Sequence, residues 1–307
     1  MRVPHRLPLS PRTVPRVTAF GVALLGAALM LGACASGEDA GERAEAEPTE
    51  APTPSTAAPT TTIAPATTST TVDPFAPPAW LGTRVLPTDA DGFGQVQPTP
   101  AELDPRAIQM PDVLPPPAGD GFESTVEPVP ADVVERSTWS AACPVGLDQL
   151  RYVTVTYWGF DGEHHRGELL VHADAADAIV EVFRAVDAAR YPIEEMRVVA
   201  APELDLPPTG DGNNTTAFVC RPVRGSTSWS EHAYGLAVDV NPFLNPYVKG
   251  DLLLPELASA YTDRSRTEPG VLHDGDAVVE AFAAIGWEWG GDWSSLKDFQ
   301  HFSANGR

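Results

Sequence analysis

From residue 140 onward, apolar and polar positions follow two periods, one typical of strands and one typical of helices. The runs RYVTVTYWGF and ELLVH are rich in β-branched and aromatic residues and flank DGEHHRG. This arrangement predicts a β-hairpin whose turn exposes His164 and His165. The segment ADAADAIVEVFRAVDAARY predicts a helix that ends before Pro192, because apolar side chains recur at helical spacing at Ile179, Val182, Phe183 and Val186.

Shorter elements complete this part of the chain. MRVVA, GLAVDVN and WEWGG predict strands, and DGDAVVEAFAAIG predicts a helix with Asp276 near its start and Gly286 as its C-terminal cap. Because strands and helices mix without long βαβ units, the pattern predicts an α+β domain over residues 140–307. A domain of about 165 residues is large enough for one hydrophobic core.

The N-terminus has the pattern of an export signal. Four arginines precede the apolar run VTAFGVALLGAALML, which at about 15 residues is shorter than the roughly 20 of a membrane span. Leu-Gly-Ala then leads into Cys34, and this stretch resembles a bacterial lipobox. The resemblance implies a signal peptide over residues 1–33, lipid attachment at Cys34 and a membrane anchor on the outer face of the cytoplasmic membrane. A non-lipidated signal peptide or an uncleaved anchor is the alternative.

Two segments that differ in amino-acid composition follow the predicted signal peptide. Residues 34–78 are dominated by Thr, Pro and Ala and lack the apolar side chains of a core, which predicts a disordered linker. Its suggested task is to hold a folded domain away from the membrane, although a linker of no consequence is equally compatible. Residues 79–139 contain recurrent proline-rich loops and predict a poorly regular extension, an arm that packs on the domain.

Charge narrows the classes of partner. The formal net charge is −22, and removal of residues 1–33 with their four arginines brings it to −26. Such an acidic chain argues against nucleic acid and against anionic lipid bound through charge. Polymers of the cell envelope are the expected neighbours of an exported, anchored domain. Cys143 and Cys220 would pair as a disulfide in that compartment, with two free buried thiols as the alternative.

The stretch STSWSEHAYGLAVDVNP contains a candidate pair of metal ligands. His232 and Asp239 stand seven positions apart, which on a helix would separate them by about 10 Å along the axis. Gly235 permits a turn, however, and LAVDV alternates like a strand, so a loop carrying the histidine and a strand carrying the aspartate can converge. Catalytic zinc requires three protein ligands.

The C-terminal segment WEWGGDWSSLKDFQHFS offers the third ligand. His301 lies among aromatic residues and Asp298 precedes it by three positions, a pairing that suits a ligand and a neighbouring proton acceptor. Asp292 is a second carboxylate, for which the flanking tryptophans suggest a structural role. From spacing alone, a histidine among aromatic residues is more often a hydrogen-bonded packing residue than a metal ligand, so that interpretation of His301 stays open.

These motifs resemble a known family. The pattern from Ser230 through His232, Gly235 and Ala237 to Asp239 is similar to the first zinc signature of the VanY-type D-alanyl-D-alanine carboxypeptidases. DFQH resembles the second signature in the form found in phage L-alanyl-D-glutamate endopeptidases, and FDGEHHRGELLVH, YPIEEMR, NNTTAFVCR and NPYV also resemble parts of the peptidase domain. The resemblance implies a Hedgehog/DD-peptidase-like fold over residues 140–307.

The resemblance also assigns roles. It implies Zn2+ held by His232, Asp239 and His301, with Asp298 as the general base. Arg221 would stabilise the developing oxyanion or hold a substrate carboxylate. Ser230 would hydrogen-bond the substrate or orient the nearby histidine, with a turn cap as the alternative. Other members carry glutamate where this chain has Asp298, which weakens the assignment to strict D-Ala-D-Ala carboxypeptidases.

The implied activity is hydrolysis of an amide bond in a peptidoglycan stem peptide by a carboxypeptidase-like zinc metallopeptidase. An L-alanyl-D-glutamate-type endopeptidase is the alternative enzyme. A non-catalytic, zinc-containing lipoprotein that binds the cell wall is the alternative from another class. A solute-binding lipoprotein would need two larger lobes than about 165 residues provide. The simultaneous presence of ligands, base and arginine favours an enzyme, because a binding module has no need of the base.

Overall fold

The β-branched run that begins at residue 150 forms the central hairpin of the structure, a computed structural model that describes residues 73–90 and 92–307. Strand β2 (Leu150–Trp158) pairs antiparallel with β3 (His164–His172) along its whole length. Strand β1 (Ser124–Glu127), from the predicted extension, adds to the free edge of β2. The predicted hairpin is therefore confirmed, and it gains a third strand from before residue 140.

The hairpin turn is shorter than predicted, and this changes the position of two histidines. Pairing continues to the opposed residues Trp158 and His164, so both histidines belong to β3 and are half-buried rather than exposed. Tertiary carboxylates explain the difference, because His164 binds Asp187 at 2.9 Å and His165 binds Asp112 at 2.9 Å. The exposure predicted for these histidines is wrong because it took no account of distant partners.

Three helices pack on or beside the hairpin. Helix α1 spans Ala131–Arg136, α2 spans Ala176–Ala188 and α3 spans Ala277–Ala284. The apolar stripe predicted for α2 is buried against β2 and α3, and it forms the main core together with side chains of both elements. Burial of such a stripe supplies most of a helix's stability in a folded domain.

Eight short strands complete the sheets. They are β4 (Glu195–Met196), β5 (Asn214–Thr215), β6 (Ala237–Asp239), β7 (Tyr247–Lys249), β8 (Leu252–Leu254), β9 (Glu288–Trp289), β10 (Lys297–Asp298) and β11 (His301–Ser303). The strand predicted from MRVVA is reduced to the parallel β4–β5 pair, because the Arg197 amide donates to the Asn214 side chain instead of to a ladder. Two further sheets, β6–β11–β9 and β10–β7–β8, carry the residues of the predicted site.

The arm, residues 79–139, packs against the rest of the described chain. Leu86, Leu103 and Ile108 are buried in a second core with Phe243 and Tyr261. Arg106 forms a bidentate ion pair with Glu194 at 2.6 and 2.7 Å, and both side chains are 1% exposed. The arm therefore contributes apolar surface to the second core and a buried ion pair to the folded structure, and its sequence pattern did not indicate the ion pair.

The mixture of helices and antiparallel sheets confirms the predicted α+β class. Within residues 73–90 and 92–307, no helix combines the length and the apolar character that crossing a membrane requires. The predicted signal peptide over residues 1–33, lipidation at Cys34 and nearly all of the predicted linker over residues 34–78 lie outside the described residues.

Candidate metal centre

The pairing of two short strands brings the two halves of the predicted site together. Strand β11 lies antiparallel to β6, with His301 directly opposite Asp239. Residues directly opposite in an antiparallel pair project to the same face with their Cβ atoms about 5 Å apart. The ladder therefore places an imidazole and a carboxylate side by side although 62 positions separate them in sequence.

The third side chain comes from the turn that precedes β6. Glu231–Tyr234 form a 3-10 turn, and the hydroxyl of Ser230 caps it by accepting a hydrogen bond from the His232 amide. Gly235 ends the turn with φ of +68° and reverses the chain into β6. His232 is buried and faces the other two side chains. Of the two interpretations of Ser230, the structure contains the turn cap.

The facing atoms of the three side chains converge on one point. Nε2 of His232 lies 3.2 Å from Nδ1 of His301, and Oδ1 of Asp239 lies 3.2 Å and 2.9 Å from these two nitrogens. Ligand atoms about 2.0–2.2 Å from a tetrahedral zinc ion lie roughly 3.3 Å apart. Two imidazoles and one carboxylate at this spacing fit zinc with one open position. Among the described residues, only this group has such an arrangement.

Hydrogen bonds behind the histidines fix the required tautomers. Nδ1 of His232 donates to the Ala217 carbonyl at 2.5 Å, which leaves the lone pair on Nε2 directed at the site. Nε2 of His301 donates to the Arg307 carbonyl at 2.9 Å, which leaves Nδ1 as the lone-pair atom. Metal-binding histidines usually have such a partner on the outer nitrogen. The Ala217 segment also holds β6 itself, because Thr216 exchanges two backbone hydrogen bonds with Asp239.

The electrostatics of the centre favour a positive charge. Burial alone would raise the pKa of Asp239, but the charges and hydrogen bonds of His232 and His301 outweigh it and hold that pKa far below its usual value. Burial would lower the pKa of His301, yet the Asp239 hydrogen bond and the neighbouring carboxylates raise it to about 9. The carboxylates thus stabilise a cation at this position, which is the requirement for binding a metal ion.

Asp298 lies beside the three clustered side chains. It belongs to β10, directly opposite Tyr247 of β7, and Gln300 donates to its Oδ1 at 3.2 Å. Burial raises the pKa of Asp298 to about 6, and the nearby charge of Asp239 acts in the same direction. A half-buried carboxylate with a pKa close to neutral is suited to accept and return a proton.

Arg221 begins a hairpin-like flap, residues 221–230, that leads into the His232 turn. The Ser230 amide donates to the Arg221 carbonyl at 3.2 Å, so the two ends of the flap are joined. The Val219 amide, two residues before Arg221, donates to the His232 carbonyl at 3.1 Å, so the backbone brings the start of the flap next to the His232 turn. Cys220, immediately before the flap, forms a disulfide bond with Cys143, with Cα atoms 5.8 Å apart.

Several contacts of the site were missed by sequence reasoning. Gly290 lies so close to Asp298 that a Cβ atom there would be 2.5 Å from the Asp298 carbonyl oxygen. The ring of Trp293 lies 5.6 Å from that of His301 between centroids, and its buried indole N–H has no acceptor among the described residues. The GGDW motif was the available signal, and it marks a wall of the site. Asp292 is exposed in the short turn Gly290–Asp292.

The conformation at Gly235 provides a test of how the turn positions His232. A Cβ atom at residue 235 would lie 2.6 Å from the His172 amide nitrogen, in addition to the positive φ. Gly235→Ala is therefore expected to lower the free energy of unfolding by about 1–2 kcal/mol more than Gly162→Ala. Gly162 has φ of +80° but open space around it. Urea denaturation of both variants measures the difference, and equal losses would contradict the close packing.

Comparison with known proteins supports the interpretation of the motifs. Residues 224–304 match the family model described as D-alanyl-D-alanine carboxypeptidase. The match includes His232, Asp239, Asp298 and His301, and it confirms the resemblance to the VanY-type family. Neither the curated proteins nor the solved structures include a match to this chain.

Proposed function

We propose that this protein is a zinc-dependent peptidase that hydrolyses an amide bond in the peptidoglycan stem peptide, with a carboxypeptidase-like active site and a Hedgehog/DD-peptidase-like fold. The observation that carries the proposal is the convergence of His232, Asp239 and His301, with the half-buried Asp298 close enough to feel their charges. All four lie in the segment that matches a peptidase family. The match to a peptidase family supports hydrolysis of a peptide bond. The two imidazoles and one carboxylate support zinc as the metal.

His232, Asp239 and His301 would hold the ion. When bound, zinc acts as a Lewis acid that polarises the amide carbonyl and makes water acidic enough to attack it near neutral pH. The hydrogen bonds to the Ala217 and Arg307 carbonyls keep both imidazoles in the binding tautomer and orientation. Because two neutral imidazoles and one carboxylate carry a charge of only −1, a bound Zn2+ would keep a net positive charge toward the oxygen atoms of the substrate.

Asp298 would move the proton. Its carboxylate accepts a proton from the attacking water as the new C–O bond forms, and returns it to the amide nitrogen as the C–N bond breaks. The products are then a carboxylic acid and a free amine, with no other reactant consumed. A pKa of about 6 makes both transfers feasible, because the group is mostly ionised at neutral pH and its conjugate acid is strong enough to protonate the amine.

Arg221 would bind negative charge at the reacting centre. Its guanidinium donates to the oxygen that gains charge during attack, or to a substrate carboxylate next to the scissile bond. The flap that carries Arg221 is fastened by the disulfide at Cys220 and by the backbone hydrogen bond to Ser230. Ser230 acts indirectly in this proposal, because its hydroxyl caps the turn that positions His232.

The surroundings proposed for this activity are those of the cell envelope. The N-terminal pattern and Cys34 support export and a lipid anchor on the outer face of the membrane. The linker over residues 34–78 would then give the domain reach toward the wall, and the acidic chain is compatible with a substrate that is neither nucleic acid nor lipid.

The experiment that tests the proposal identifies the product. The full chain is incubated with purified muropeptides, with and without a metal chelator, and the products are analysed by mass. Loss of a terminal D-alanine identifies a carboxypeptidase, whereas a cut between L-alanine and D-glutamate identifies the endopeptidase that the Asp298-x-x-His301 motif resembles. Binding without cleavage by zinc-loaded protein would support the non-catalytic lipoprotein, and protein that binds no zinc would refute the site.

A further inference from the structure

The β10–β7–β8 sheet is joined to the metal centre by backbone hydrogen bonds. Only Phe299 and Gln300 separate β10 from β11. The Gln300 carbonyl accepts a hydrogen bond at 2.9 Å from Val240, the residue after the ligand Asp239. The Phe299 amide donates to the carbonyl of Pro246 at 3.4 Å, immediately before β7. Strand β10 and the start of β7 therefore lie next to the metal ligands.

Three side chains form a row across this sheet, which we call the Tyr247 row. Tyr247 of β7 is directly opposite Asp298 of β10 on one side and directly opposite Leu254 of β8 on the other. Residues directly opposite each other in antiparallel strands project to the same face, with their Cβ atoms about 5 Å apart. Asp298, Tyr247 and Leu254 therefore share one face and span about 10 Å, beginning beside the metal centre.

The face that carries the Tyr247 row is the outer face of the sheet. Successive residues of a strand point to opposite faces, so Val248 and Leu253 belong to the other face, where Leu253 is only 5% exposed. All three side chains of the row are half-buried, so each keeps accessible surface. Beyond β8 the arm bounds the row, because the Gln97 amide donates to the carbonyl of Glu256 at 3.2 Å. The row thus has the metal centre at one end and the arm at the other.

The chemistry of the row suits an extended peptide. A length of about 10 Å corresponds to roughly three residues of extended chain. The Tyr247 hydroxyl has no hydrogen-bond partner among the described residues, so it is available to a ligand. Burial and the negative charge of Asp298 raise the pKa of Tyr247, which keeps the phenol protonated and able to donate. Leu254 adds an apolar contact surface farther from the metal centre.

We propose that the Tyr247 row binds the substrate peptide on one side of the scissile amide. Tyr247 donates its hydroxyl proton to a main-chain carbonyl of the peptide, and Leu254 contacts an apolar side chain two or three residues from the bond that is cut. The inference rests on the proposed function, because Asp298 acts on the amide at the start of the row. The substrate peptide is the occupant, since the row is continuous with the metal centre.

The first test varies the length of the peptide, using the full chain with bound zinc. kcat/KM is measured for a stem peptide and for versions shortened by one residue at a time from either end. Tyr247→Phe is expected to lower kcat/KM for the intact peptide about 3- to 10-fold, because it removes one hydrogen bond and keeps the ring. The loss should disappear for peptides that are too short to reach the hydroxyl.

The second test varies the side chains of the peptide. Each residue of the stem peptide is replaced in turn by glycine, and kcat/KM is compared with that of the parent peptide. At the position that contacts Leu254, replacement of alanine by glycine is expected to lower kcat/KM about 4-fold in the wild-type chain. Leu254→Ala should bring this ratio close to one at that position and leave it unchanged at the others.

Tyr191→Phe is the matched control. Tyr191 is also half-buried, but its hydroxyl already donates to the Gly270 carbonyl at 2.5 Å, so its loss should leave the dependence on peptide length unchanged. Calorimetric binding of the same peptides to zinc-loaded chains that carry Asp298→Asn repeats both comparisons without turnover. A wild-type chain that binds but does not cleave would refute the proposed function, while weaker binding in Tyr247→Phe would still support the row. Equal kcat/KM and equal affinity in Tyr247→Phe and the wild type, a loss that is the same at every peptide length, or glycine ratios that Leu254→Ala leaves unchanged overturn the inference.

Discussion

Asp298→Asn is expected to lower kcat about 10²- to 10⁴-fold while the zinc content of the protein stays the same. Asparagine keeps the shape of the side chain and its hydrogen bond with Gln300, but it cannot accept a proton from water. Asp298 also stands outside the group of three side chains that face one another. Rates are measured by mass analysis of muropeptide products, and bound zinc by atomic emission.

The pH dependence of the reaction provides a second measurement on the same residue. Burial raises the pKa of Asp298 to about 6, and only the ionised carboxylate acts as the base. kcat/KM should therefore fall as the pH drops through the pKa of this group. A cation bound by the neighbouring ligands favours the ionised form, so the acid limb is expected at or below about pH 6. The Asn variant should lose this limb.

Two variants serve as controls. Asp298→Glu retains a base on a longer side chain and should keep more activity than Asp298→Asn. Asp292→Asn removes an exposed carboxylate six positions away, on the turn beside the site, and should leave kcat unchanged. The assignment of the base is wrong if Asp298→Asn keeps kcat within tenfold of wild type with zinc bound, or if Asp292→Asn causes the same loss.

Local sequence patterns predicted the central hairpin, the helices α2 and α3 and the residue types of the candidate ligands. Alternation in LAVDV predicted the strand that ends at Asp239, and the small residue Gly235 predicted the preceding turn. Local patterns could not predict that His301 meets His232 and Asp239, because this depends on the β6–β11 register between segments 62 positions apart. Spacing within one segment carries no information on that register. The grouping of His301 with His232 and Asp239 came instead from the family resemblance.

Other parts of the structure had no local signal. The Ala217 carbonyl that orients His232 is a backbone atom, and no residue type marks it. His165 followed a turn-forming sequence, yet Asp112 of the arm draws it into the strand. Outside β1 and α1, the arm consists largely of proline-rich loops that have no strand or helix periodicity and are held by individual contacts to the domain. Such contacts depend on the completed fold.

Arg106→Met is expected to lower the free energy of unfolding by about 3–5 kcal/mol. The substitution leaves the Glu194 carboxylate buried, with the Asn213 side-chain amide at 2.7 Å as its remaining side-chain donor. It also removes the donor to the Asp211 carbonyl, which Arg106 holds at 2.8 Å. Because Arg106 belongs to the arm and Glu194 precedes β4, the loss appears in global unfolding only if the two segments fold as one unit. Urea denaturation followed by tryptophan fluorescence measures it.

Two comparisons separate the buried charge from other effects. Arg184→Met removes an arginine from an exposed ion pair with Glu181, whose side chains are 49% and 65% exposed, and should cost less than about 1 kcal/mol. Replacing Arg106 and Glu194 together by Met and Leu should recover part of the single-variant loss, because no uncompensated charge then remains in the core. A loss below about 1 kcal/mol in Arg106→Met would mean that the arm separates before the domain unfolds.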